Sequence, residues 1–403
     1  MLGTTDRRTL QPVTYLLMAR ALREFGDGFV AVLLPVYLLA LGFSALEVGF
    51  IATAALLGSS LLTMGAGFLG ARYDHRQLLL AAASLMIATG VAFASVHDYA
   101  LLLIVAFAGT INPSGGSVSV FAPLEHAVLA REVEDRDRTR MFARYSLVGA
   151  LAGAAGALAA AVPDLLRPVG LDQLSAIKLM FVFYALLGVA GGLVYARIPR
   201  QPLAPDQPPA ALGPSRHIVY KLAILFCIDS FAGGFVVQSL LALWLFERFD
   251  MSLATAGLFF FWSGVLSAFS FPVAAWLSKR IGLINTMVFT HIPASLALIV
   301  AAFAPTLAIA LTLLLIRAAL SQMDVPTRSS YVMAVVTPSE RAAAASFTAV
   351  RRSLAAAASP ALAGALFAAS LRAWPLVICG VLKIVYDLLL LMQFRHTKPP
   401  EER

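Results

Sequence analysis

Residues 45–95 read ALEVGFIATAALLGSSLLTMGAGFLGARYDHRQLLLAAASLMIATGVAFAS. Two apolar runs, 45–67 and 77–95, flank one short polar turn that carries Arg72, Asp74 and Arg76. A helix needs about 20 mostly apolar residues to cross a bilayer. Each run has that length, and the turn is too short for a domain. The pair therefore predicts a transmembrane helical hairpin. Charge-bearing turns between runs of this length point to helices rather than barrel strands.

The same pattern extends along the whole chain. Comparable runs fall at 13–40, 99–127, 141–163 and 176–197, then at 219–246, 254–277, 284–304, 307–336, 342–371 and 373–394. The expectation is an all-α membrane protein of twelve transmembrane helices. Composition agrees: 60% of the 403 residues are hydrophobic and 13% charged, with mean hydropathy +0.84. A soluble domain has about 45–50% apolar and about 25% charged residues. The first run carries Arg20, Arg23, Glu24 and Asp27, unlike the apolar core of a cleavable signal. Cys227 and Cys379 both sit in spans, with no metal-site spacing and no expected disulfide.

Alternating the spans from a cytoplasmic N-terminus puts most cations on one side, among them Arg72, Arg76, Arg138, Arg140, Arg280, Arg341, Arg351 and Arg352. Only Arg167, Lys178, Arg248 and Arg372 fall outside. The positive-inside rule then predicts that both termini are cytoplasmic. The net charge of +8 follows from that bias, so nucleic acid is not an expected partner. The lipid bilayer of the cell (inner) membrane is.

A Pro-rich stretch at 198–218 reads as a cytoplasmic linker between an N-terminal six-helix half, 1–197, and a C-terminal half, 219–403. The halves echo each other. Arg144-Tyr145-Ser146-Leu147 answers Arg351-Arg352-Ser353-Leu354, and Asp137-Arg138 answers Glu340-Arg341. Phe25-Gly26-Asp27-Gly28 answers Phe231-Ala232-Gly233-Gly234. The common order suggests a parallel repeat, a transporter architecture.

The turn quoted at the start also resembles a family signature. Gly67, Leu69, Arg72 and Arg76 match the loop between the second and third helices of the major facilitator superfamily. Ala71 stands where that family has an acid, and Asp74 where it has glycine. A fainter copy, with Arg280 and Gly282 matching, lies at 276–282. The resemblance implies two six-helix halves and a cytoplasmic gate involving Gly67, Arg72, Asp74, Arg76 and Arg280. It also implies that the first, fourth, seventh and tenth helices line the transport path. Leu313 to Arg317 and the glycines 149, 153 and 156 resemble, in displaced or partial form, marks of bacterial drug and metabolite proton antiporters.

An ionisable group at membrane depth costs at least a few kcal/mol, so it is paired or faces water. Arg20, Arg23, Glu24 and Asp27 share one face of the first span, where Arg20–Glu24 and Arg23–Asp27 can pair at i, i+4. Arg317, Ser321, Asp324 and Arg328 share a face of the tenth. Asp229 in the seventh has no partner one turn away, so it pairs elsewhere or takes a proton. Asp27, Asp229 and Asp324 are the candidate proton or cation carriers. Arg23, Glu24, Arg317 and Arg328 are candidates to neutralise them or hold an anion. Lys383 and Asp387 read as a structural i, i+4 pair, and His291 as a structural histidine. Asn112-Pro113-Ser114-Gly115-Gly116-Ser117 breaks the fourth span or lets a neighbouring helix approach closely, and beyond it Glu125 is a gate or packing residue within reach of Arg144.

The expected function is secondary transport of a small solute by alternating access, as proton-coupled efflux by a monomer. An uptake symporter is the alternative, and a receptor or lipid-moving protein a third class. No P-loop, nucleophile–base set or metal cluster is visible, so neither ATP-driven pumping, enzymatic chemistry nor a cofactor is expected.

Overall fold

The apolar runs fold as helices because lipid offers no partner to a backbone amide or carbonyl, and a helix satisfies both internally. The computed structural model describes residues 5–70, 72–115, 119–132, 135–200, 213–337 and 340–394, side chains 5–11, 130–131, 135–140 and 342 excepted. Several expectations lie outside the described residues: Ala71, Gly116, Ser117, the Asp137-Arg138 side chains, linker residues 201–212, and the tail with Arg395, Lys398 and Arg403.

The helices are α1 (Thr5–Ala40), α2 (Ala45–Leu69), α3 (His75–Ser95), α4 (Tyr99–Ala108), α5 (Phe121–Glu132), α6 (Asp135–Ala159), α7 (Val162–Leu166), α8 (Gln173–Tyr195) and α9 (Arg216–Gly234). They continue as α10 (Gln238–Phe249), α11 (Leu253–Ile281), α12 (Leu283–Ala301), α13 (Leu307–Ser321), α14 (Asp324–Val335), α15 (Arg341–Ala358), α16 (Pro360–Ala368) and α17 (Trp374–Phe394). There is no strand among the described residues. Nine helical stretches among them are long and apolar enough to cross a membrane. The other three apolar runs of the sequence lie in α1, α4–α5 and α15–α16, where charges or breaks interrupt them.

Polar residues set the helix ends. Ser44 and Glu47 form a reciprocal capping box at α2. Asp74, Asp98, Asp172 and Thr306 accept from free amides at the starts of α3, α4, α8 and α13. The breaks fall where the sequence carries turn formers. Asn112-Pro113-Ser114-Gly115 separates α4 from α5, with Gly115 at φ +68°. Ser359-Pro360 separates α15 from α16, since proline removes an amide donor.

The outer surface is apolar, with Phe68, Leu193, Phe269 and Met392 exposed, while Arg23, Glu24, Asp27, Glu125, Asp229, Asp324 and Arg328 are buried. This inverts a soluble protein and matches a hydrocarbon solvent.

The chain divides into two compact units. Unit 1 holds Met1–Asp206 and Met251–Phe261; unit 2 holds Gln207–Asp250 and Trp262–Arg403. In unit 1, α1 packs on α6 and α8, and α3 on α8. In unit 2, α9 packs on α15 and α17, and α12 on α13 and α17. Glycine permits the closest approaches. A side chain at Gly28 would collide with Gly153 O of α6, and one at Gly234 with Ala356 O and Ser359 Oγ of the α15–α16 joint. These glycines occupy matching positions in the two sequence echoes.

Candidate functional site

In unit 1, α1 supplies the charges and three neighbours receive them. Arg20 Nη1 lies 2.7 Å from Glu24 Oε1, the expected pair one helical turn apart. Arg23 Nη1 donates to Glu24 Oε1 at 3.0 Å and to Ser119 Oγ at 3.2 Å. Its Nη2 donates to Glu125 Oε2 at 3.0 Å. Tyr195 of α8 donates to Glu125 Oε1 at 2.5 Å, and Tyr145 of α6 to Oε2. The guanidinium of Arg20 lies over the Tyr145 ring and that of Arg23 over Phe121. Asp27 is held more loosely. Tyr184 donates to it at 3.3 Å, and Arg23 Nη1 is 3.9 Å away.

One expectation changes here, and one contribution is new. Glu125 does not pair with Arg144: it is fully buried against Arg23, Tyr145 and Tyr195, while Arg144 is exposed. Neighbouring helix residues diverge by about 100°, so burying Tyr145 turns Arg144 outward. The role of α8 was invisible in a charge search, because its contribution is two tyrosines, Tyr184 and Tyr195.

Unit 2 gathers its cluster from α9, α12, α14 and α17. Arg328 Nη1 donates to Asp229 Oδ2 at 3.0 Å, and Nη2 to Asp324 Oδ2 one turn back. Lys383 Nζ donates to Asp229 Oδ1 at 2.6 Å and lies 3.2 Å from His291 Nε2. His291 Nδ1 is 3.0 Å from Asp387 Oδ1. His291 thus bridges Lys383 and Asp387 through its two ring nitrogens.

Asp229 is therefore flanked by two cations and is no unpaired acid. The expected Lys383–Asp387 pair is replaced by Lys383–Asp229 and His291–Asp387. The i, i+4 spacing permitted the local pair, but inter-helix partners sit closer. Arg317 also differs from expectation. The break at Gln322–Met323, between α13 and α14, interrupts the helical register that put Arg317 on the face of Asp324 and Arg328. It reaches no carboxylate among the described residues.

The gate candidates lie at helix ends. Gly67 and Arg72 are exposed, and Asp74 caps α3 by accepting from Arg76 N at 3.2 Å. Arg280 is exposed and stacks on Trp276. Sequence reasoning did not single out Glu340 as a site. Its carboxylate accepts from Gly213 N, from Ser215 N at 3.3 Å and Ser215 Oγ at 2.6 Å, and from Thr337 Oγ1. Hydrogen bonds from Ser215 and Thr337 hold its pKa down, to about 2. The Glu340-Arg341 echo was the available signal.

Comparison with known proteins places this geometry. The Major Facilitator Superfamily model matches residues 16–323 and 222–403. An uncharacterized membrane protein of Saccharomyces cerevisiae is 23% identical over 93% of this chain and 92% of its own length. Among solved structures, a bacterial homologue of the iron transporter ferroportin superposes with TM-score 0.75 at 13% identity, covering 95% of this chain and 98% of that one. The xylose transporter XylE from E. coli, in an inward-open conformation, gives TM-score 0.74 at 16% identity and 98% coverage of both chains.

Proposed function

The chain belongs to the Major Facilitator Superfamily, and from that membership we propose that it is a proton-coupled exporter of a small amphipathic organic solute, working as a monomer in the cell (inner) membrane. It is a multi-pass membrane protein of a family whose members carry small solutes across membranes. Similar folds belong to a xylose transporter and to a bacterial homologue of an iron transporter, so cargo is set by site chemistry and not by the fold. Alternating access moves one bundle against another about a midplane site.

One observation carries the coupling assignment. In unit 1, three buried carboxylates share two arginines, and the close contacts go to Glu24 and Glu125. Asp27 is left with a tyrosine hydroxyl and a 3.9 Å contact. A proton can neutralise Asp27 without breaking a close ion pair. The Asp229–Arg328–Asp324 cluster supplies the charged contacts that rearrange in unit 2. Export is favoured by the exporter-like Leu313 to Arg317 run.

The test is solute flux in proteoliposomes under an imposed pH gradient, across amphipathic compounds and metabolite anions. Vesicles acid inside accumulate cargo by antiport; vesicles acid outside accumulate it by symport. Asp27→Asn is expected to abolish proton-driven accumulation while gradient-free exchange persists. Asp229→Asn and Asp324→Asn are expected to lose both. Proton-driven flux unchanged in all three variants would sink the coupling assignment, and accumulation only in acid-outside vesicles would reverse the direction.

A further inference from the structure

Unit 2 contains a groove that the ion-pair cluster leaves unused. It has a volume of about 410 Å³ and runs along α9, walled by Tyr220, Ile224, Cys227, Ile228 and Phe231, with Arg351 and Ala355 of α15 opposite. The α9 positions recur at i, i+4, i+7, i+8 and i+11, forming one stripe. Asp229 points from the other side of the same helix, toward Arg328 and Lys383. The walls are apolar and aromatic except for a single charge, Arg351.

That charge has no counter-ion among the described residues. The Arg351 guanidinium lies 3.3 Å from the centroid of the Phe347 ring, and its Nη1 donates only to Phe347 O at 3.4 Å. Arg352 behind it donates to Ser230 Oγ at 3.2 Å. This bond sets Arg352 level with Asp229, well inside the helices. Unit 2 buries the carboxylates Asp229, Asp324 and Asp387, and its helices α13, α14, α15 and α17 carry Arg317, Arg328, Arg351, Arg352 and Lys383. Among the described residues these three carboxylates pair with Arg328 and Lys383, and His291 lies against Asp387. Arg351 itself is exposed along the groove, so an incoming anion can reach it; a cation beside apolar walls is costly until an anion meets it. A guanidinium held flat by a ring presents a planar fork suited to a carboxylate. The volume is that of a small organic ligand.

We propose that this groove is a cargo subsite for an organic carboxylate with an aromatic or branched apolar body, with Arg351 as its counter-charge. The assignment rests on the transport reading above and narrows its solute to an anion.

The test is equilibrium binding to the full chain in nanodiscs, with 4-phenylbutyrate as probe and 4-phenylbutylamine and 4-phenylbutanol as cationic and neutral arms. A charge-assisted contact predicts about tenfold or greater preference for the carboxylate. Arg351→Gln should lose that preference and Arg351→Lys retain part of it. Ala355→Phe, which fills the groove and keeps the charge, should weaken binding by a similar factor. Thermal unfolding of each variant confirms a folded protein. Equal binding of the amine or alcohol, carboxylate binding untouched by Arg351→Gln and Ala355→Phe, or no carboxylate binding at all would overturn the proposal. No proton gradient is present, so failure of the coupling assignment would leave this result intact, and the reverse.

Discussion

The two units solve the same problem with opposite surpluses. Unit 1 buries Glu24, Asp27 and Glu125 around Arg20 and Arg23, an excess of acid completed by the hydroxyls of Tyr145, Tyr184 and Tyr195. Unit 2 buries Asp229, Asp324 and Asp387 beside Arg328 and Lys383, while Arg317, Arg351 and Arg352 pair with no carboxylate among the described residues. The echoed sequences show where the difference enters. Tyr145 in one copy stands where Arg352 stands in the other. The tyrosine points at a buried glutamate, whereas the arginine finds only Ser230. A repeated scaffold thus gathers an excess of acid in one unit and an excess of cation in the other.

This contrast can be broken by removing its hubs. Arg23→Met leaves Glu125 without a cation, although Arg20 still holds Glu24, and is expected to cost about 3–5 kcal/mol of stability, the scale for breaking a buried ion pair. Arg328→Met should cost less, because Lys383 still holds Asp229, and Asp324, which loses its ion pair, sits in the first turn of α14, where the helix N-terminus favours a negative charge. Thermal unfolding of both variants in one detergent gives the order, and equal losses would erase the asymmetry. Adding Glu125→Leu to Arg23→Met should recover part of the loss.

The glycine contacts test what the units share. Gly28→Leu and Gly234→Leu should each cost about 1–3 kcal/mol through overpacking, of similar size because each wedges a first helix from its partner. A large loss in one alone, by the same assay, would show that the matching positions carry unequal packing. His291→Leu should cost roughly 1–3 kcal/mol by leaving Asp387 buried without its hydrogen bond; an unchanged melting temperature would show that bond to be dispensable.

The smallest effect belongs to Glu340. Its folded pKa, about 2, lies below the ordinary 4.5. A depressed carboxylate stabilises the fold above its unfolded pKa, and that contribution is lost as pH falls through the folded one. The advantage of the wild type over Glu340→Gln should therefore be full near pH 6 and shrink between about pH 4.5 and pH 2. Melting temperatures measured across that range check the sign.

Local pairs were the readable part of the site. Arg20–Glu24 and Asp324–Arg328 lie one turn apart, and helix geometry alone brings them together. The same logic failed for Lys383–Asp387, where equal spacing coexists with better partners on α9 and α12. It failed for Arg317, because a two-residue break in the helix discards the register on which the prediction stood. It could not find Tyr184 and Tyr195, since an uncharged residue in an apolar run gives no cost signal.

By itself the sequence determined that this chain lives in lipid, which stretches become helices, where the fourth span breaks, and which of them carry charge. Those properties are set by transfer free energies and backbone chemistry, residue by residue. Only the tertiary structure decided that Asp229 faces two cations, that Glu125 meets Arg23 and two tyrosines, and that Arg351 is left unmatched beside an apolar groove. Such pairings depend on how each helix is rotated against its neighbours, and that rotation is set jointly by every contact in the unit.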